Sequence, residues 1–276
     1  MTAAVGVQPR VAASARPWRL SFGGVLRSEW IKMRSLRSTV WSYVIIIAIS
    51  IGMAALMSST AGSFASEVPA SEYNTFVLQA STFGIFFGQL VAAVLGVLVI
   101  SGEYSTGMIR STLTAVPGRL AALWAKAIVF AVATFVVGLV SVGLSLVIAA
   151  PILGGFGIEA DLSDPALYGS LVSAAAYLAL MGVLSLGIGT VLRAGAGGIA
   201  ASLGLILVVP IIVSMIPADW ASDLSPYLPS NAGQEMFGLS SMGGGNLEVW
   251  QDWLVVLGWV AVSMIGAAVA LKRRDA

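Results

Sequence analysis

Two residue types are missing from the chain altogether: it has no cysteine and no histidine. Without them there is no disulfide, no Cys/His metal centre, no Ser-His or Cys-His nucleophile and no histidine proton relay. Charge is scarce as well. Only 10% of the 276 residues are charged, against roughly 25% in a soluble domain. No lysine is followed by Ser or Thr, so the glycine-rich phosphate-binding loop that ends in Gly-Lys-Ser/Thr is absent, and ATP is not hydrolysed on this chain by that route. No catalytic set and no metal site is expected. What is abundant is apolar: 58% of the residues are hydrophobic, and the mean hydropathy is +0.95. That composition belongs to an integral membrane protein.

Six apolar runs are long enough to cross about 30 Å of hydrocarbon. They are Val40–Met57, Thr82–Ile100, Ala127–Ala150, Gly169–Leu192, Gly198–Ile216 and Trp253–Leu271. Within these limits none carries a charge, so the intramembrane carboxylates common in proton-coupled carriers are lacking. An intramembrane protease would need a Ser-His pair or paired aspartates, and neither is there. Strand-type alternation is absent, which makes the runs helices rather than barrel strands. The fourth and fifth are separated only by Arg193 and a turn of small residues, AGAG. All fourteen Lys and Arg residues fall in the N-terminal segment, the second connection, the fourth connection or the C-terminal end. The positive-inside rule then puts both termini in the cytoplasm. Glu67, Glu72, Glu159, Asp161, Asp164, Asp219, Asp223, Glu235, Glu248 and Asp252 all fall on the other side. The expected fold is an all-α membrane protein with six transmembrane helices and cytoplasmic termini.

Residues 1–19 are expected to form a flexible cytosolic tail. About 38 residues precede the first apolar run, and that run is longer than the apolar core of a signal peptide, so no cleaved signal is expected. Residues 20–38 read as an amphipathic helix lying in the membrane interface. At about 100° per residue, Phe22, Val25, Leu26, Trp30, Met33 and Leu36 share one arc, while Arg27, Lys32 and Arg34 lie on the other flank. Glu29 is out of place on the apolar arc. It either pairs with Lys32 one turn on or contacts the loop 101–126. Residues 39–276 form the transmembrane domain. Its second span carries Gly84, Gly88, Ala92 and Gly96 at every fourth position, a ridge that lets another helix approach closely. The ridge serves packing within the subunit, a dimer face or a translocation path. Gln89, the most polar side chain deep in a span, either hydrogen-bonds across an interface or faces substrate. The external segment 217–252 is broken by Pro226 and Pro229 around Tyr227, and it holds apolar Met236, Phe237 and Leu239. Short helices dipping into the outer interface would satisfy its backbone; a loop lying on the membrane surface is the other reading.

The stretch 101–126 reads SGEYSTGMIRSTLTAVPGRLAALWAK. Glu103, Arg110, Arg119 and the closing Lys126 would each cost several kcal/mol in hydrocarbon, so this island belongs in water or against another protein. Met108, Ile109, Leu113 and Val116 fall on one side of a helix, with Arg110 beside them. A helix from Thr106 to Leu113 has about two turns and is marginal alone in water, so the island calls for a partner.

Read in order, these features resemble the membrane subunit of ABC-2-type transporters, the permeases of small bacterial ATP-driven exporters. SEWIKMRS (28–35) is similar to the family's basic helix before the first span. GEYSTGMIRSTL (102–113) is similar to its cytosolic motif, and PGRLAALWAK (117–126) to the lead into the third span. PYLPSNAG and the terminal LKRRDA add to the likeness. The resemblance covers about residues 20–276. It implies a coupling helix carrying Glu103, Gly107, Met108, Ile109, Arg110 and Leu113, docked on a separate ATP-binding subunit that holds the ATP and Mg. It implies a second permease copy or close relative, short re-entrant helices at the external segment, and the bacterial plasma membrane as location. No cofactor on this chain and no nucleic-acid partner are expected. A stand-alone carrier or channel, and a non-transporting assembly factor, are the readings from other classes.

Overall fold

The computed structural model describes residues 21–63, 65, 68–108, 119–239 and 247–273. Among them there are helices and no strand. The first helix is α1 (Phe22–Ser35), capped by the Ser21 hydroxyl, which accepts from the Gly24 amide at 3.1 Å. Six helices long and apolar enough to cross a membrane follow: α2 (Arg37–Thr60), α3 (Tyr73–Ser105), α4 (Arg119–Gly154), α5 (Pro165–Leu192), α6 (Gly195–Ser214) and α9 (Val249–Arg273). Between α6 and α9 stand two short helices, α7 (Asp219–Leu224) and α8 (Pro229–Glu235).

The axis of the bundle is α5, which packs against α3, α4, α6 and α9. Its most apolar stretch is 72% buried, whereas that of α2 is 17% buried and forms the outer wall. Small residues are the reason α5 can be surrounded. A Cβ on Gly96 of α3 would stand 2.2 Å from the Gly182 carbonyl oxygen of α5. A Cβ on Gly187 would stand 2.6 Å from the Ser263 hydroxyl of α9. Without side chains at these points the backbones come into contact, which is how helices gain packing when water supplies no hydrophobic drive. Four hydroxyls inside the bundle bond back to their own helices: Ser81 to the Val77 carbonyl, Thr82 to Leu78, Ser185 to Met181 and Thr190 to Leu186.

Three features differ from the sequence reading. First, the helices run well past the apolar runs. α3 has 33 residues and α4 has 36, about 50 Å or more each, longer than the roughly 30 Å hydrocarbon core. The charge-free runs mark only the hydrocarbon portion. Second, the island 101–126 is not a separate unit at its two ends: Ser101–Ser105 is the last turn of α3, and α4 already starts at Arg119. Third, the turn between α5 and α6 is tighter than AGAG. Arg193 adopts a left-handed conformation, φ 56°, its amide donating to the Gly189 carbonyl at 2.9 Å, and Gly195 already opens α6. That helix widens into a π-turn at Gly204–Val208, just before Pro210. Proline has no N–H for the carbonyl four residues back, and its ring crowds that position, so the ladder shifts locally.

The described part of the segment after α6, residues 215–239, folds back onto the bundle, with α8 packed on α9 and α5. Pro226 sits in a 3-10 turn at Ser225–Tyr227 and Pro229 opens α8, where prolines cost no intrahelical bond. Residues Pro229–Gln234 are buried. Gly233 of α8 touches the ring of Tyr177, thirteenth residue of α5, so α8 reaches about 18 Å along that helix.

Candidate functional site

One side of the bundle gathers the start of α4 and the ends of α3, α5 and α9. The Arg193 guanidinium lies over the Tyr104 ring of α3, 5.3 Å from its centroid, and donates to the Ala270 carbonyl of α9 at 3.3 Å. Against this side lies α1. Val25, Glu29 and Met33, spaced by four, point the same way and are all buried. A glutamate therefore sits in the middle of a buried stripe.

Glu29 is matched there by charges from two other helices. Lys126, at the end of the second turn of α4, donates to Glu29 Oε2 at 2.6 Å and to Glu103 Oε1 at 2.9 Å. Lys32, one turn along α1, donates to Glu29 Oε1 at 2.7 Å and to Glu103 Oε1 at 3.0 Å. Two lysines and two glutamates thus close a ring of zero net charge that pins α1 to the end of α3 and the beginning of α4. Both readings of Glu29 from the sequence describe part of the geometry: it pairs with Lys32 and also meets Glu103 of the island. Lys126, Glu29 and Glu103 are nearly fully buried, while Lys32 is the rim member, with 29% of its side chain exposed. Burial pulls the Lys32 ammonium down, but hydrogen bonds and the negative charges of Glu29 and Glu103 outweigh it and hold the group above its ordinary value. Glu103 Oε2 is buried with no hydrogen-bond partner among the described residues. A cavity of about 260 Å³ adjoins the ring and is walled by apolar Met33, Leu98, Val99, Met108 and Phe130.

Ion pairs of this kind are stiff in geometry and modest in net stabilisation, because desolvation offsets much of the Coulomb attraction. Their effect is to tie the three helices together at one point. Just past the ring α3 ends: the Thr106 amide donates to Gly102 and the Gly107 amide to Tyr104, and Gly107 turns left-handed at φ 70°, a backbone state that glycine enters without a Cβ clash. Met108 follows, 46% exposed. Ile109, Arg110 and Leu113, the remaining coupling-helix residues expected from the sequence, lie outside the described residues. Trp30 is on the outer side of α1, 46% exposed.

The other sequence candidates lie elsewhere. Gly84, Gly88, Ala92 and Gly96 are buried inside the subunit: a Cβ on Gly84 would meet the Ser50 backbone of α2 at 2.3 Å, and Gly88 faces Ile46 of α2 and Leu178 of α5. Gln89 is fully buried, and its Oε1 accepts a hydrogen bond from the Tyr177 hydroxyl of α5. Pro226 in the 3-10 turn and Pro229 at the start of α8 are buried, and Tyr227 is 52% exposed, its carbonyl accepting from the Trp259 indole at 2.9 Å. Lys126 and Tyr177 were not picked out from the sequence as site residues. Lys126 had a signal, being a lysine that directly abuts a 24-residue apolar run; Tyr177 had none.

The fold and this ring define a multi-pass, all-helical membrane protein in which a surface helix is clamped to the ends of two long spans. A profile of the ABC-2 family transporter proteins matches residues 25–216, which takes in most of α1, all of α2 through α6 and the whole ring. The chain belongs to that family, and it is a transporter permease. Among curated proteins none matches it.

Proposed function

We propose that this permease is the membrane subunit of an ATP-driven exporter, powered by a separate ABC-type ATP-binding subunit that docks on the connection between α3 and α4. The observation that carries this reading is the ring of Glu29, Lys32, Glu103 and Lys126. It flanks that connection on both sides and joins the helices that any push on the connection would move first. The missing phosphate-binding loop supports an external source of energy: ATP and Mg belong on the partner, and this chain has no cofactor of its own. Glu103, Gly107, Met108, Ile109, Arg110 and Leu113 make the docking element, with the apolar members seated in the partner's groove and Arg110 at its rim. Two such permeases, or this one and a close relative, pair in the bacterial plasma membrane. Both termini and the ring are then cytoplasmic, in keeping with the concentration of Lys and Arg at this end of the bundle. The segment holding α7 and α8 faces outward as a re-entrant plug. Lipid surrounds the pair, and no nucleic acid is involved.

The test is purification of the tagged chain from its own host in mild detergent. A nucleotide-binding protein with a phosphate-binding loop should come with it, and the eluate should hydrolyse ATP in the presence of Mg. Isolation of a chain that carries out transport alone, without ATP, would overturn the proposal.

A further inference from the structure

The basic residues of α1 are divided between two environments. Lys32 turns inward to Glu29 and Glu103. Arg27 and Arg34, seven residues apart and so on one side of the helix, are exposed, and neither has an ion pair or hydrogen bond among the described residues. Trp30 and Arg34, one turn apart, line a groove of about 250 Å³ between α1, α2 and α4. Val40 of α2 and Val132 and Val136 of α4 form its walls, each about half exposed at 49%, 56% and 51%. The Tyr43 hydroxyl, which could have made the groove polar, is turned to Thr134 at 3.1 Å. The result is a hydrocarbon trough with an exposed guanidinium and an indole at one end.

Where this groove lies decides what fills it. α2 and α4 are membrane spans, and α1 crosses them where they leave the hydrocarbon, so the medium outside the groove is the bilayer. An indole settles at headgroup level, and a guanidinium takes two phosphate oxygens at once. The phosphate of a choline lipid is balanced by its own ammonium, whereas an anionic headgroup keeps a net charge that Arg27 and Arg37 also attract. We infer that the groove between α1, α2 and α4 binds one anionic phospholipid, its phosphate on Arg34, its glycerol region against Trp30 and one acyl chain along Val40, Val132 and Val136. Met33 borders both this groove and the cavity beside the ion-pair ring. The lipid therefore braces α1 from the bilayer side while the ring holds it from within. This inference rests on the membrane fold and not on the identity of the energy source.

The experiment is thermal unfolding of the full chain in mild detergent, titrated with phosphatidylglycerol, with phosphatidylcholine of the same acyl chains, or with inorganic phosphate. Phosphatidylglycerol should raise Tm saturably and the other two should not. Arg34→Gln should raise the half-saturating lipid concentration about fivefold, the loss of one basic contact at a membrane surface. Val136→Trp, which fills the trough with a side chain already facing lipid, should abolish the shift. Native mass spectrometry supplies the second readout: one phosphatidylglycerol retained per wild-type chain and none in Val136→Trp. An equal shift with phosphatidylcholine, a shift reproduced by inorganic phosphate, or an unchanged titration in either variant would overturn the assignment.

Discussion

At the scale of single residues the ring depends most on Lys126, since it alone among the two lysines is buried and it touches both glutamates. Lys126→Met strands two buried carboxylates with one partly exposed ammonium, and removal of one partner from a buried pair costs about 3–5 kcal/mol. The variant should insert normally but unfold at lower temperature in detergent. Adding Glu103→Gln to it should recover part of the loss, because contacting charges are not additive and couple by about 0.5–3 kcal/mol. Strict additivity of the two substitutions would show that the ring does not act as a unit. Lys32 sets the behaviour of the ring at alkaline pH. Its folded pKa is raised above 10.5, so its contribution is fully present at neutral pH and disappears only as the pH climbs above that value and through the raised one. Little of this could be read beforehand. Glu29 was conspicuous as an acid on an apolar arc, but its partner Lys126 is 97 residues away, and no local period links the two.

At the scale of elements the sequence signal was strong wherever one helix sufficed to explain it and weak wherever two helices meet. Runs without charge mark hydrocarbon: there are six in the sequence, and among the described residues six helices are long and apolar enough to span. Their lengths were less legible, because α3 and α4 continue as helices after hydropathy falls. The ridge from Gly84 to Gly96 was visible as a four-residue repeat, but its neighbours were not: it meets α2 at Ser50 and α5 at Gly182. That pairing carries a prediction. Gly96→Val puts a branched side chain where even a Cβ would lie 2.2 Å from backbone, and neither helix can yield locally. Folded protein recovered in mild detergent should fall sharply, while Gly102→Val, at a position with nothing within 4 Å, should not reduce it. Equal recovery of both variants would mean that α3 and α5 are not in contact at that level. The Tyr177–Gly233 contact was illegible for a plainer reason: α8 is a seven-residue helix inside a stretch whose composition suits a loop equally well.

At the scale of the whole molecule, the described basic residues of α1, α4, the α5–α6 turn and the end of α9 share the side of the bundle that carries the ring. The permease reading makes that side cytoplasmic. Cysteines introduced at Ser163 and Ser241 should then react with an impermeant thiol reagent on intact cells, and those at Ser111 and Ala276 should not; reaction at Ser111 from outside would reverse the topology. The topology in turn decides whether an ATP-binding subunit can reach the α3–α4 connection at all. The most direct measurement of the account is therefore the amount of ATP-binding subunit that co-purifies with variants of that connection, scored beside export in cells. If the proposed docking holds, Ile109→Asp and Leu113→Asp each place a carboxylate without a counter-ion in the partner's apolar groove, at a cost of several kcal/mol. Both should lose the ATP-binding subunit and export while keeping the wild-type labelling pattern. Arg110→Glu, a rim charge, should weaken association less. Full retention of the subunit and normal export by both Asp variants would contradict coupling through this segment.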